Sequence, residues 1–447
     1  MLKRFIIAIS ILLFLAAPAA GQELIVLSPD IPELEFPIAV MGGGETCVVL
    51  TMSSQDTSWD SRPHSSVILH AAIDGEFANA IVVFGGGQIL EYTLCAGPLS
   101  PGEHTLKLML ARDISPAKQG SVTIYEIAAR TFLHQDSAFF LYEFSPFLYE
   151  RAAEQSTDVS LKLFANPVSD QGRTTIEYHV VLSNEDGGTG RNPAILMSRY
   201  GRTTDIEWVY RVVVDEATGD IISEQYQGSG HDTRDFTGRK IGRHPVLRVA
   251  TDNGNFEQDG ETPVRVGLLP VRFAWGGEQP REAIMDAFPW MHRIASEEMF
   301  AENKATRNYN SKSAQLGDMR DYVYIDYHAQ NLNGEKTLSF EVQLKGGKHW
   351  YSTNPGKDVP FLGDDGLLAF SGWMRTNIKL PPGTKTGDIQ SLRILGAGNV
   401  SYEIMVVKAF MLDDFYLPQT PFFELPDKVI LSPENRQFIY RIEPRKQ

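Results

Sequence analysis

The sequence predicts a mainly β, multi-domain protein of β-sandwich or jelly-roll type with one short helical insertion. Three observations predict it. Short β-branched and aromatic runs alternate with glycine-rich turns along the chain, a period of two dominates the apolar pattern, and convincing helical spacing appears only between Glu278 and Asn303. At 447 residues the chain exceeds what one core usually supports, so more than one is expected. A composition of 43% hydrophobic and 22% charged residues excludes wholesale disorder.

Residues 1–21 read as a cleavable secretory signal: Lys3 and Arg4, an apolar run from Phe5 to Ala16, then the small residues Ala17-Pro18-Ala19-Ala20-Gly21. The apolar run falls short of the roughly 20 residues that cross a bilayer, and no later segment approaches that length, so no membrane insertion is expected after cleavage. A secreted or periplasmic location follows. The formal net charge of -15 makes nucleic acid and anionic membranes poor partners, and no nucleic-acid partner is expected. A glycan or an extracellular protein is a compatible partner.

Residues 22–131 carry β-type runs such as Cys47-Val48-Val49-Leu50 and Ala80-Ile81-Val82-Val83-Phe84, punctuated by Gly42-Gly43-Gly44 and Gly85-Gly86-Gly87. The turn and alternating strand from Leu99 to Leu108 resemble the penultimate-strand region of immunoglobulin-like sandwiches. Cys47 and Cys95 both fall here, and in an oxidising compartment such a pair usually forms a disulfide. Residues 132–277 open on Phe139, Phe140, Tyr142, Phe144, Phe147 and Tyr149, rings suited to a core, and continue as a second β-sandwich. In residues 278–320, Ile284, Phe288, Met291, Ala295 and Met299 recur at helical spacing, with Pro289 placed to split the helix in two. Across residues 321–447 alternation returns. Leu338, Phe340, Val342 and Leu344 point one way, and Ser339, Glu341 and Gln343 the other, as in a half-buried strand of a jelly-roll-like layer packed with the preceding domain.

The chemistry-bearing residues concentrate on two of these strands. Alternation from Asp205 to Val214 places Asp205, Glu207 and Arg211 on one face, and alternation from Thr175 to Ser183 places Glu177 and His179 together. Antiparallel pairing of the two strands would assemble three carboxylates and an imidazole, able to divide acid and base roles or hold a cation. The ordinary polar face of an antiparallel sheet has the same composition. Asp205, Glu207, His179, His231 and His244 are therefore the candidate catalytic residues. Asp186 and Asp252, in loops rich in oxygen ligands and glycine, join Asp205 and Glu207 as candidate calcium ligands; no motif requires a cofactor. In the last domain, Trp350, Tyr351 and Trp373 lie beside polar, glycine-rich loops and are candidates for stacking on a sugar.

The segments Thr157-Asp158-Val159-Ser160-Leu161, Thr204-Asp205-Ile206-Glu207-Trp208, Gly230-His231 and Arg243-His244-Pro245-Val246 resemble the vacuolar-protein-sorting sixty-two family. In that family an Asp-Trp-Glu strand precedes a histidine and a His-Pro-Val strand. Here the tryptophan follows the glutamate, and Asp252-Asn253-Gly254 replaces the family's later Gly-Ser-His-Ala. The resemblance covers about a quarter of the chain and implies a β-sandwich core.

No zinc-protease helix, nucleophile elbow, phosphate-binding glycine loop or paired-cysteine metal motif occurs. The sequence therefore points first to an exported β-sandwich protein that binds a glycan or an envelope macromolecule. A carbohydrate-active hydrolase or lyase using Asp205 and Glu207 is the alternative, and an envelope scaffold without a small ligand is the third reading.

Overall fold

A computed structural model describes residues 24–60, 65–136, 138–151, 159–185, 191–308, 310 and 313–442. The secretory signal expected over residues 1–21, and Asp186, lie outside the described residues. The protein is mainly β, built of several open sheets with few short helices.

Two sheets carry the N-terminal strands. A four-stranded sheet runs in the order Ile25–Leu27, Val122–Phe132, Gly44–Ser53, Leu90–Leu99. The facing nine-stranded sheet takes Glu33–Val40, Gly102–Leu110, Val67–Ile73 and Glu76–Val83 and continues through Arg265–Val266 and Phe147–Tyr149 to His244–Val249. Strands from both sides of residue 131 thus share a ladder, and one apolar cluster runs from Leu27 to Ile294. Within the first sheet Cys47 lies opposite Cys95, and the sulfurs are 3.1 Å apart as free thiols in place of the expected disulfide.

A seven-stranded sheet follows, with Ser160–Ala165, Arg173–Leu182, Asp205–Asp215 and Ile221–Gln227 at its centre. Its pairing contains the irregularity that decides the site. Arg173–Leu182 pairs regularly with Asp205–Asp215 as far as Tyr178 opposite Tyr210, then skips one residue so that His179 faces Trp208. Val209 is the extra residue of a β-bulge, and beyond it the two faces exchange.

The helical segment divides at Pro289, as its sequence predicts, into Ile284–Ala287 and Trp290–Ala301. A further helix, Pro193–Tyr200, stands where no helix was expected. Its ends are legible: Asn192 caps it by accepting from the Ala194 amide (3.0 Å), Pro193 occupies the first turn, and Gly201 closes it in a left-handed conformation.

The last unit is a sandwich. One sheet orders Gly372–Lys379, Tyr322–Asn331, Tyr402–Phe410 and Phe423–Glu424; the other orders Trp350–Ser352, Leu338–Leu344, Ile389–Gly396 and Gln437–Arg441. Alternation of Leu338, Phe340 and Val342 builds a separate core with Val323, Ile325 and Tyr327 from the opposite sheet. The outward residues Ser339 and Glu341 are also buried, because the loop from Asn354 to Leu367 folds over them.

Candidate functional site

The bulge separates the residues that the sequence would assemble. Past Val209, Glu207 opposes Val180 and Asp205 opposes Leu182, on the side that carries Tyr178; Glu177, His179, Trp208 and Arg211 occupy the other side. The cluster of three carboxylates and an imidazole does not form.

On the second side, His179 Nε2 lies 2.8 Å from Glu177 Oε1 and Arg211 Nε donates to Glu177 Oε2 at 2.7 Å. Burial alone would raise the Glu177 carboxyl, but the His179 bond and the Arg211 charge outweigh it and hold the group down at about 2. Burial likewise lowers His179 from the ordinary histidine range, so its ring stays neutral, stacked on Phe164 and edge-on to Trp275. His244 is elsewhere. It is buried, bonded to Glu45 Oε2 (2.9 Å) and the Ser145 carbonyl (2.8 Å), and stacked on Phe147, so its ring nitrogens are consumed by packing.

On the first side, Asp205 and Glu207 enter a buried ionic cluster. Arg202 Nη1 lies 3.1 Å from Glu185 and 3.8 Å from Asp205, and its Nε lies 3.7 Å from Glu282. Burial and the neighbouring charges of Glu185 and Glu207 push the Asp205 carboxyl well above the usual range despite Arg202, so it keeps its proton. Glu207 is also buried. It accepts from Gln227 (2.6 Å) and lies 3.8 Å from His231 Nδ1. His231, half exposed and held at φ 64, is also within 2.7 Å of Asn253. His231 sits at a surface turn, and its 3.8 Å separation from Glu207 is too long for a direct hydrogen bond.

For calcium, Asp205 is fully buried and keeps its proton, and Asp252 forms an ion pair with Arg151. Among the described residues no group of three or more Asp, Glu, His or Cys side chains is arranged to hold a metal ion.

The aromatic candidates divide by register. Tyr351 pairs with Val342 and turns inward against the last core. Trp373 donates from its indole nitrogen to the Gly277 carbonyl (3.1 Å) and packs beside His328, which ties it to the preceding segment. Trp350 pairs with Gln343 on the outer face and is partly exposed. It carries the Arg393 guanidinium 4.2 Å over its ring.

Arg393 leads into an open basin of about 610 Å³ between this face and the loop from Asn354 to Leu367. On its floor the buried Glu341 carboxylate accepts from Arg393 Nε (2.7 Å) and pairs with Lys357. Asn354 and Asp364 stand at the wall, and Phe361, 76% exposed, projects from the same loop. The floor is thus charged but internally compensated, with a ring at one side and amide, hydroxyl and guanidinium groups around it. Sequence reasoning found Trp350 but not Glu341, Lys357 or Arg393. Their signal was present, since Glu341 and Arg393 are opposite charges at outward positions of alternating strands that pair directly.

No family model matches the chain, and no curated protein matches it. Among solved structures, the chain is similar to the CBM36-1 domain of a multidomain xylanase from the hindgut metagenome of Trinervitermes trinervoides (16% identity over 23% of this chain and 72% of that one, TM-score 0.18). It is also similar to NLPPya in complex with mannosamine (14% identity, 31% and 74%, TM-score 0.22) and to the EclA C-terminal domain, a sugar-binding protein (11% identity, 26% and 84%, TM-score 0.19). Likeness at these scores is to fragments of β-architecture and says nothing of this chain's ligand.

Proposed function

We propose that this is an exported glycan-binding protein whose binding surface is the basin at Trp350, Arg393 and Glu341. One observation carries the reading: a partly exposed indole carries on its face a guanidinium that itself lines an open basin whose charges neutralise one another. A sugar ring presents an apolar face and a rim of hydroxyls. Trp350 matches the first, while Arg393, Asn354 and Asp364 supply donors and acceptors for the second. The compensated floor favours a neutral glycan over a strongly charged one, and the acidic overall charge is compatible with the same choice. Export rests on the signal read in residues 1–21.

The test is a glycan array probed with the intact protein and with Trp350→Ala. Loss of a stacking ring worth about 1.4 kcal/mol predicts roughly tenfold weaker binding to whichever neutral glycan scores, with an unchanged thermal midpoint. Binding that survives the substitution at full strength would place the site elsewhere, and an array silent above background would end the glycan reading.

A further inference from the structure

Cys47 and Cys95 are the chain's two cysteines, and the strands Gly44–Ser53 and Leu90–Leu99 bring them together through an irregularity in their pairing. The two strands pair regularly from Gly44 opposite Leu99 to Thr46 opposite Gly97, then skip Ala96 so that Cys47 faces Cys95. Without that bulge Cys47 would oppose Ala96, and the two thiols would sit on opposite faces of the sheet. Gly97, at φ 78, supplies the left-handed backbone beside the extra residue. The sulfurs lie 3.1 Å apart. Directly opposed residues of an antiparallel pair have Cα atoms about 4.5 to 5.5 Å apart, inside the range of about 4.4 to 6.8 Å that a disulfide spans. Both side chains are buried, at 1% and 2% exposure, in a small cluster with Phe147, Tyr149 and Val246. The site is also a junction, because the Cys95 amide donates to the Gly267 carbonyl (2.8 Å) and Asn79 donates to the Cys95 carbonyl (2.8 Å).

We propose that Cys47 and Cys95 close into a disulfide while the chain is still folding, and that the finished fold then locks whichever redox state it captured. The oxidant is a low-molecular-weight disulfide such as oxidised glutathione. The Cys47 thiolate attacks one of its sulfurs, forms a mixed disulfide and expels a first small thiol; the Cys95 thiolate then attacks the Cys47 sulfur and expels a second. Two electrons pass to the oxidant, and the two protein protons end on the released thiols. Once the strands have closed, burial keeps oxidant and reductant from either sulfur. The Cys95 contact and burial also hold the Cys47 thiol well above its ordinary range, which removes the attacking thiolate. Exchange in the native protein therefore requires the strands Gly44–Ser53 and Leu90–Leu99 to part. This chemistry does not rest on the glycan-binding reading.

The experiment unfolds the intact protein in urea with a reductant, removes both, and refolds it with and without oxidised glutathione. Each product is alkylated with iodoacetamide in fresh urea and weighed, and the oxidised one is digested without reduction. Refolding with glutathione disulfide is expected to give a monomer that takes up no alkyl group and yields a crosslinked Cys47–Cys95 peptide. Refolding without it is expected to give two alkylated cysteines. The folded dithiol, exposed to the same oxidant without urea, is expected to close about tenfold or more slowly than the unfolded chain. A refolded monomer that keeps both thiols, or that carries glutathione on them, overturns the pairing, as does a crosslink between chains. Oxidation of the folded dithiol at the rate of the unfolded chain overturns the lock. For a chain that does not refold, protein collected from a bacterial periplasm gives the reading by direct alkylation, where no free thiol supports the bridge and two free thiols overturn it.

Discussion

Asp205 shows how burial rather than spacing sets a residue's chemistry. From sequence it is one of two carboxylates on a strand face; in the structure it is almost fully buried, with Glu185, Glu207 and Arg202 as neighbours. Because its folded-state proton affinity is raised above that of the unfolded chain, folding takes up a proton in the window above the ordinary aspartate range of about 4. Its contribution to stability is therefore fully present below that range and is lost as pH rises toward the raised folded value. Asp205→Asn keeps a neutral side chain of the same shape and removes this dependence. Urea unfolding is expected to find the variant close to wild type near pH 4 and more stable than wild type at pH 8. A difference that stays constant between the two pH values would mean that Asp205 is ionised in the folded protein.

At the scale of elements, what the sequence shows and what it hides have separate physical causes. Period-two alternation is written residue by residue, so the strand Leu338–Leu344 and its inward face are legible, as is the break at Pro289. A bulge is not written that way. Nothing between Asp205 and Val214 distinguishes Val209 from its neighbours, yet it moves Asp205 and Glu207 to the face opposite His179. The helix Pro193–Tyr200 was readable from Asn192-Pro193 and Gly201, but its apolar residues also fit a strand. That helix matters to the basin. Arg199 donates to the Asp365 carbonyl (3.0 Å) and Ser198 to the Gly366 carbonyl (3.0 Å), which anchors the loop from Asn354 to Leu367. Within the loop Gly356 lies against Gly363 so closely that an added Cβ would fall 1.4 Å from its carbonyl oxygen. Gly356→Ala must push the loop apart without touching Trp350. Its expected outcome is a loss of about 2 kcal/mol in urea unfolding, together with weakened glycan binding. Wild-type affinity in a destabilised Gly356→Ala protein would show that the loop takes no part in the site.

At the scale of the molecule, the last sandwich owns a core and is joined to the rest through, among other contacts, a fully buried cation. Arg375, on the strand Gly372–Lys379, donates to Asp326 on the neighbouring strand (2.6 and 3.0 Å) and to Asp286 of the helical segment (2.8 and 2.5 Å). Asp286 also meets His292 at 3.1 Å, and the stem of Arg375 fills the space above Gly201 at the end of the Pro193–Tyr200 helix. Burial would raise the Asp286 carboxyl, but Arg375 and His292 outweigh it and hold it below the usual range, so its ion pairs persist at neutral pH. An apolar contact surface formed by Met197, Ala295, Met299, Tyr322, Tyr324 and Phe410 surrounds this junction, so the two parts should unfold together while the lock is intact. Removing one member of a buried ion network leaves the others uncompensated, at a cost of about 3 to 5 kcal/mol. Arg375→Met fills similar space but strands Asp286 and Asp326. Because each side retains a core of its own, the loss falls on their coupling more than on either part. Calorimetry is expected to show one cooperative transition for wild type at neutral pH and two for Arg375→Met. A single transition displaced to lower temperature would instead make the apolar surface, and not the ion network, the element that joins the sandwich to the body of the protein.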